Sequence, residues 1–167
     1  MDIDPVGGRP VLQLRAGVAT PGPLVHPYLC LEGEPLAVLS VEGCGHGAGF
    51  LYPQEGTPDL AHFRLRVPVV AMGSGRMDGS LRIGAGIAEA ERGPDAAGFR
   101  FGRDDDAVEG AGPELSASVQ VRGWVIRRGY LSLDGNAGLA WIAAAPEVYG
   151  QVAPWVPFGA LTLGAGF

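Results

Sequence analysis

Leu115-Ser116-Ala117-Ser118-Val119-Gln120-Val121-Arg122 and Leu131-Ser132-Leu133-Asp134-Gly135-Asn136-Ala137-Gly138-Leu139-Ala140-Trp141 decide the fold of this chain. In the first stretch Leu115, Ala117, Val119, Val121 and then Val125 share one parity, against Ser116, Ser118, Gln120 and Arg122. In the second, Leu131, Leu133, Ala137, Leu139 and Trp141 oppose Ser132, Asp134 and Asn136. A period of two is the signature of a strand, because successive side chains leave opposite faces of the pleat. Arg127-Arg128-Gly129 separates the runs and offers a glycine for a tight turn. A hairpin closed there sets Arg122 opposite Asp134, Gln120 opposite Asn136, Val121 opposite Gly135 and Val119 opposite Ala137. The sheet then has one charged face and one apolar face, and which of them meets water is the central question.

Working outward, the same alternation recurs. Leu12, Leu14, Ala16 and Val18 oppose Gln13 and Arg15; Val25, Leu29 and Leu31 oppose His26, Tyr28 and Glu32. Leu65, Val67 and Val69 oppose Arg64 and Arg66; Leu81, Ile83 and Ile87 oppose Ser80 and Arg82; Phe99 and Phe101 oppose Arg100. Strands are expected over 10–19, 24–32, 36–43, 47–52, 61–72, 79–90, 97–103, 114–126, 130–143 and 156–167, with 36–52 readable as one bent strand. Gly/Pro-rich turns punctuate them. No segment carries apolar residues at helical spacing over eleven or more positions; Ala88 to Arg92 is helix-friendly but short. The expectation is an all-β chain: a closed antiparallel up-and-down β-barrel of eight to ten strands, one domain over 1–167.

Composition narrows the function classes. The 167 residues include 28 Gly and 14 Pro, and every one of the 12 basic residues is Arg. A formal net charge of −6 gives no global basic field, so nucleic acid is not an expected partner. No run of about 18 apolar residues suggests a membrane-crossing helix. Met1-Asp2-Ile3-Asp4 is acidic where a secretory leader would be basic, which fits either a cytoplasmic protein or a mature sequence.

A soluble sandwich or barrel would pack the apolar face inward, whereas a transmembrane barrel turns it toward lipid and fills the lumen with the charges. Three features favour the second arrangement. Gly135, Ala137, Gly159 and Ala165 would leave holes in a close-packed core, but lipid tails tolerate them. In the last strand Trp155 and Phe167 share a parity with Leu161 and Leu163 between them, and Trp141 would join Trp155 at one rim. Twelve residues at about 3.3 Å, tilted by about 40°, rise about 30 Å, close to an apolar band with aromatic girdles.

The third feature is the ending Phe158-Gly159-Ala160-Leu161-Thr162-Leu163-Gly164-Ala165-Gly166-Phe167. It resembles the last strand of small bacterial outer-membrane β-barrel proteins of the OmpA/OmpX type, which typically finish on an aromatic residue. The likeness is specific over 114–167 and a generic strand pattern over 10–103. It implies an outer-membrane location, a lipid bilayer as surroundings and recognition by the barrel-assembly machinery.

Few constellations point to chemistry. Glu42, Cys44 and His46 share a strand face, and His26, Cys30 and Glu32 share another, but neither matches a known zinc spacing. Cys44 beside His46 or His26 is the sole thiol–imidazole candidate, and no Gly-x-Ser-x-Gly elbow is present. Gly73-x-Gly75 and Gly84-x-Gly86 lack the strand-to-helix setting of a phosphate loop. If Glu32 to Pro35 closes a regular hairpin, Cys30 falls opposite Ala37 and Cys44 lies out of bridging reach; a disulfide and two free buried thiols both remain open.

The expected site is therefore a lumen network of Arg15, Glu32, Glu42, Arg64, Arg66, Arg82, Arg100, Arg122 and Asp134, with no cofactor, no metal and no catalytic residue. Such a barrel would serve a structural or surface-interaction role, or form a narrow pore, with loops 103–113 and 144–155 facing outward. The alternative is a cytoplasmic barrel or sandwich that binds a small apolar ligand, or performs cofactor-free chemistry, at a pocket around Tyr28, Cys44 and His46.

Overall fold

The computed structural model describes residues 11–22, 24, 26–36, 38–47, 57–92, 108–126 and 129–167. In them the chain runs β1 (Val11–Thr20), β2 (Tyr28–Leu36), β3 (Leu39–Gly45), β4 (Asp59–Ser74), β5 (Met77–Arg92), β6 (Val108–Ile126), β7 (Gly129–Trp141), α1 (Ala145–Tyr149) and β8 (Trp155–Gly166). Every strand pairs antiparallel with its neighbours in sequence, and β1 also pairs with β8, so the eight strands close into a ring. Leu12 and Phe167 exchange backbone hydrogen bonds of 3.0 and 3.1 Å at this seam.

The two ends of the barrel differ. At the end holding the start of β1 and Phe167, neighbouring strands are joined by two-residue connections at 37–38, 75–76 and 127–128. At the other end the connections are long, and α1 lies in the last of them. Gly75, at φ 62°, supplies the left-handed position of the β4–β5 turn. A register shift between Pro68 and Val70 accommodates the missing N–H of Pro68 in a long strand.

Alternation sorts the side chains as the period of two requires, with polar groups inside. Arg15, Glu32, Glu42 and Arg66 are at most 1 % exposed, whereas Leu14, Leu115 and Leu163 are 62, 69 and 66 % exposed. Gly135, Ala137, Gly159 and Ala165 lie on this outward parity of β7 and β8, so they leave no hole in a core.

Several local expectations are corrected. The β6–β7 register is shifted by two residues: Gln120 pairs with Asp134, Arg122 with Ser132, Val119 with Gly135 and Ala117 with Ala137. A bulge between Trp124 and Ile126 absorbs the difference; an even shift preserves which face each residue occupies. The β2–β3 turn lies at 37–38 rather than 32–35, which brings Cys30 opposite Cys44, and the two form a disulfide with Cα atoms 4.1 Å apart. Residues 108–113 belong to β6 rather than a loop, and 145–149 is helical. The expected strand 97–103, with Arg100, and 48–52 of the expected strand 47–52 lie outside the described residues; Gly47 is not in a strand.

Candidate functional site

The lumen is filled in three layers. In the middle, Arg15, Arg64, Arg66 and Arg82 face Glu32, Glu42, Glu114 and Asp134. Arg15, from β1, meets Glu32 at 3.0 Å, Asp134 at 2.8 Å and also Glu42. Arg66, from β4, reaches Glu32 at 3.3 Å and Asp134 at 2.7 Å, and donates to Glu42 and Ser118. Arg64 Nε lies 2.6 Å from Glu42 Oε1, and its guanidinium sits 5.5 Å from the Phe158 ring centre. Gln120 donates to Gln13 at 3.2 Å, and Gln13 in turn donates to Ser132. Buried charges are tolerable only when paired and hydrogen-bonded, and each of these guanidiniums meets at least one carboxylate.

Small residues make room for the arginine stems. A Cβ on Gly84 would stand 3.2 Å from Arg66 Cγ and 2.6 Å from Ser116 Oγ, and one on Gly164 would strike Arg15 Cγ. The space left beside Arg66, Arg82 and Glu34 is about 20 Å³, enough for about one water.

Toward the turn-bearing end, Arg122 pairs with Glu34 and lies 4.9 Å from the Tyr130 ring centre. The expected Arg122–Asp134 pair does not form, because the register shift separates them and Asp134 is taken by Arg15 and Arg66. Trp124 faces Tyr130 in the ladder, their rings 5.1 Å apart, and its indole N–H donates to Asp78 at 2.7 Å. These two rings narrow that mouth.

The opposite end holds an apolar cluster beside buried His46, Asp59 and His62. Leu60, Ala88, Ala90, Ala140, Ile142, Val156 and Phe158 pack against Ala145 and Val148 of α1, which roofs the barrel. Pro146 suits the first turn of α1, and Gly150 ends it at φ 67°. The Tyr149 hydroxyl donates to the Asp59 carbonyl at 3.1 Å, and burial pushes its phenol above the ordinary range.

Tyr28, Cys44 and His46 do come together, but as packing: Tyr28, Cys30, Cys44 and Ala19 form a second buried cluster, with the His46 ring 5.2 Å from that of Tyr28. His46 Nδ1 lies 3.1 Å from Asp59 Oδ1, and His62 Nδ1 lies 2.5 Å from Glu114 Oε2. Cys30, Cys44 and Glu42 bring possible metal-ligand atoms within 4.8 Å of one another, but the two sulfurs are bonded to each other rather than present as thiolates.

Of the expected network, Arg15, Glu32, Glu42, Arg64, Arg66, Arg82, Arg122 and Asp134 all face the lumen; Arg100 lies outside the described residues. Sequence reasoning missed Glu34 because it placed the turn there, and missed Gln13, His62, Glu114, Ser118 and Gln120 as partners although their parity marks them. Comparison with protein families, characterised proteins and solved structures finds no match to this chain.

Proposed function

We propose that this protein is a small integral β-barrel of the bacterial outer membrane with a plugged lumen, serving a structural or surface-interaction role. The observation that carries the reading is the inversion of the barrel: leucines and valines cover its outer wall while paired arginines and carboxylates occupy its centre. In water such a wall would expose far more contiguous apolar surface than a soluble monomer carries.

Supporting features agree on orientation. Among the described residues the strand number is even, short turns lie at one end and long connections at the other, as in bacterial barrels whose turns are periplasmic and whose loops are extracellular. Trp141 and Trp155 pair at the loop-bearing rim, and Phe167 marks the other, the placement of interfacial aromatic girdles. The resemblance of β8 to the final strand of outer-membrane barrels makes the barrel-assembly machinery the expected partner. A lumen crossed by ion pairs and closed by α1 argues against a pore.

The test is whether purified protein requires micelles. Monodispersity only in detergent, with faster gel migration unheated than heated, supports the reading; a compact monomer in plain buffer overturns it. Planar-bilayer recordings should show no stable channel currents, and steady conductance would contradict the plugged lumen.

A further inference from the structure

The outer wall is not uniformly filled. Near the turn-bearing end an open groove of about 480 Å³ lies among Met77, Val121, Val125, Leu131, Leu133 and Leu163. Its cause is local: in the ladder Met77–Gly123–Leu131 the middle position has no side chain, and a Cβ there would meet nothing within 4 Å. Arg76, exposed in the two-residue β4–β5 turn, also lines the groove, and its carbonyl accepts from the Trp124 amide at 2.8 Å, which fastens the turn to β6. Among the described residues no carboxylate pairs with the Arg76 guanidinium.

We propose that this groove binds one anionic phospholipid of the turn-side leaflet, an acyl chain lying over Gly123 and the headgroup phosphate held by Arg76. This rests on the membrane reading above. Continuity argues for a lipid, since the groove is a recess in the outward apolar band and not a pocket of its own. Charge complementarity argues for an anionic one, because the cation sits where the apolar wall ends at the turns, at headgroup depth. Phosphate donors suit guanidinium recognition.

The test is native mass spectrometry of the protein released from micelles after incubation with phosphatidylglycerol, phosphatidylcholine or free glycerol phosphate. One phosphatidylglycerol should be retained, about fivefold more than phosphatidylcholine, and glycerol phosphate should not be. Gly123→Leu starts from a position where a Cβ meets nothing within 4 Å and extends into the recess, and it should reduce retention about tenfold, with heat-modifiable mobility unchanged. Arg76→Gln should abolish the preference between the two lipids. A micelle-dependent, heat-modifiable parent that retains no lipid, or retains it equally with Gly123→Leu, overturns this proposal alone. Retention of glycerol phosphate at the level of the lipid also overturns it. A parent monodisperse in plain buffer overturns it together with the membrane reading.

Discussion

Arg66 on β4 and Asp134 on β7 form a 2.7 Å ion pair across the barrel, joining strands that share no ladder. Through Glu32, Glu42 and Ser118 the same guanidinium is tied to β2, β3 and β6, so one side chain links five strands. The lumen is therefore a cross-braced interior, and its charges are structural elements.

Arg66→Ala leaves Glu32, Glu42 and Asp134 short of a buried partner. Removing one member of such a set costs about 3–5 kcal/mol. Urea unfolding in lipid vesicles, followed by the loss of the fast-migrating folded band, should register that loss. A change below about 1 kcal/mol would mean that water has access to the carboxylates and the interior is not sealed.

Leu161 stands on the outward face of β8, six positions from both Trp155 and Phe167, and is 54 % exposed. If lipid surrounds it, Leu161→Arg should destabilise by about 2–4 kcal/mol, while Leu12→Arg, outward beside Phe167 at the turn-bearing end, should cost about 0–1 kcal/mol. In water both substitutions would be close to neutral. The difference between the two positions is thus a direct reading of the solvent around the wall.

The three tryptophans occupy different surroundings. Trp141 and Trp155 are outward and exposed, whereas Trp124 points into the turn-side mouth against Tyr130. Brominated acyl chains should quench most of the emission of the parent. In a Trp141→Phe/Trp155→Phe variant, only Trp124 remains, and quenching should fall well below that of the parent, since Trp124 reaches the outer wall only where it borders the Gly123 groove. Undiminished quenching in that variant would place Trp124 in lipid and contradict the inward parity of its strand position.

Much of this arrangement is legible in the residues, and the failures have a common cause. Parity alone assigns Arg15, Glu32, Glu42, Arg64, Arg66 and Asp134 to one face, because a strand has no other choice. Pairing across the ladder is less legible: the bulge at Trp124 to Ile126 and the turn at 37–38 each move the register, which removed the expected Arg122–Asp134 pair and created the Cys30–Cys44 bridge. The short helix α1 escaped notice since five residues hold no periodicity. Its apolar members, Ala145 and Val148, are buried by barrel contacts that no local pattern encodes.

The bridge between Cys30 and Cys44 closes a short loop spanning the β2–β3 turn, with a sequence separation of 14. Replacing both by Ser should lower stability by about 3 kcal/mol through the unfolded chain, with the folded spectrum unchanged. Denaturant midpoints with and without reductant give the comparison: the parent should shift on reduction and the variant should not. Alkylation of the unreduced, unfolded parent by maleimide would instead reveal free thiols and refute the bridge.

The seam between β1 and β8 carries a consequence for how the molecule forms. Arg15 reaches from β1 to carboxylates on β2, β3 and β7, so its set of partners is complete only after the chain's two ends have met. An assembling sheet with that seam open keeps its interior hydrated. Expelling the water and shutting the ring are then one event. Because that event joins residues most of the chain apart, it bears the largest loop-closure entropy and the slowest contacts of the fold. Refolding into bilayers should accordingly proceed as a single late step in which the charges lose their solvent together, not strand by strand.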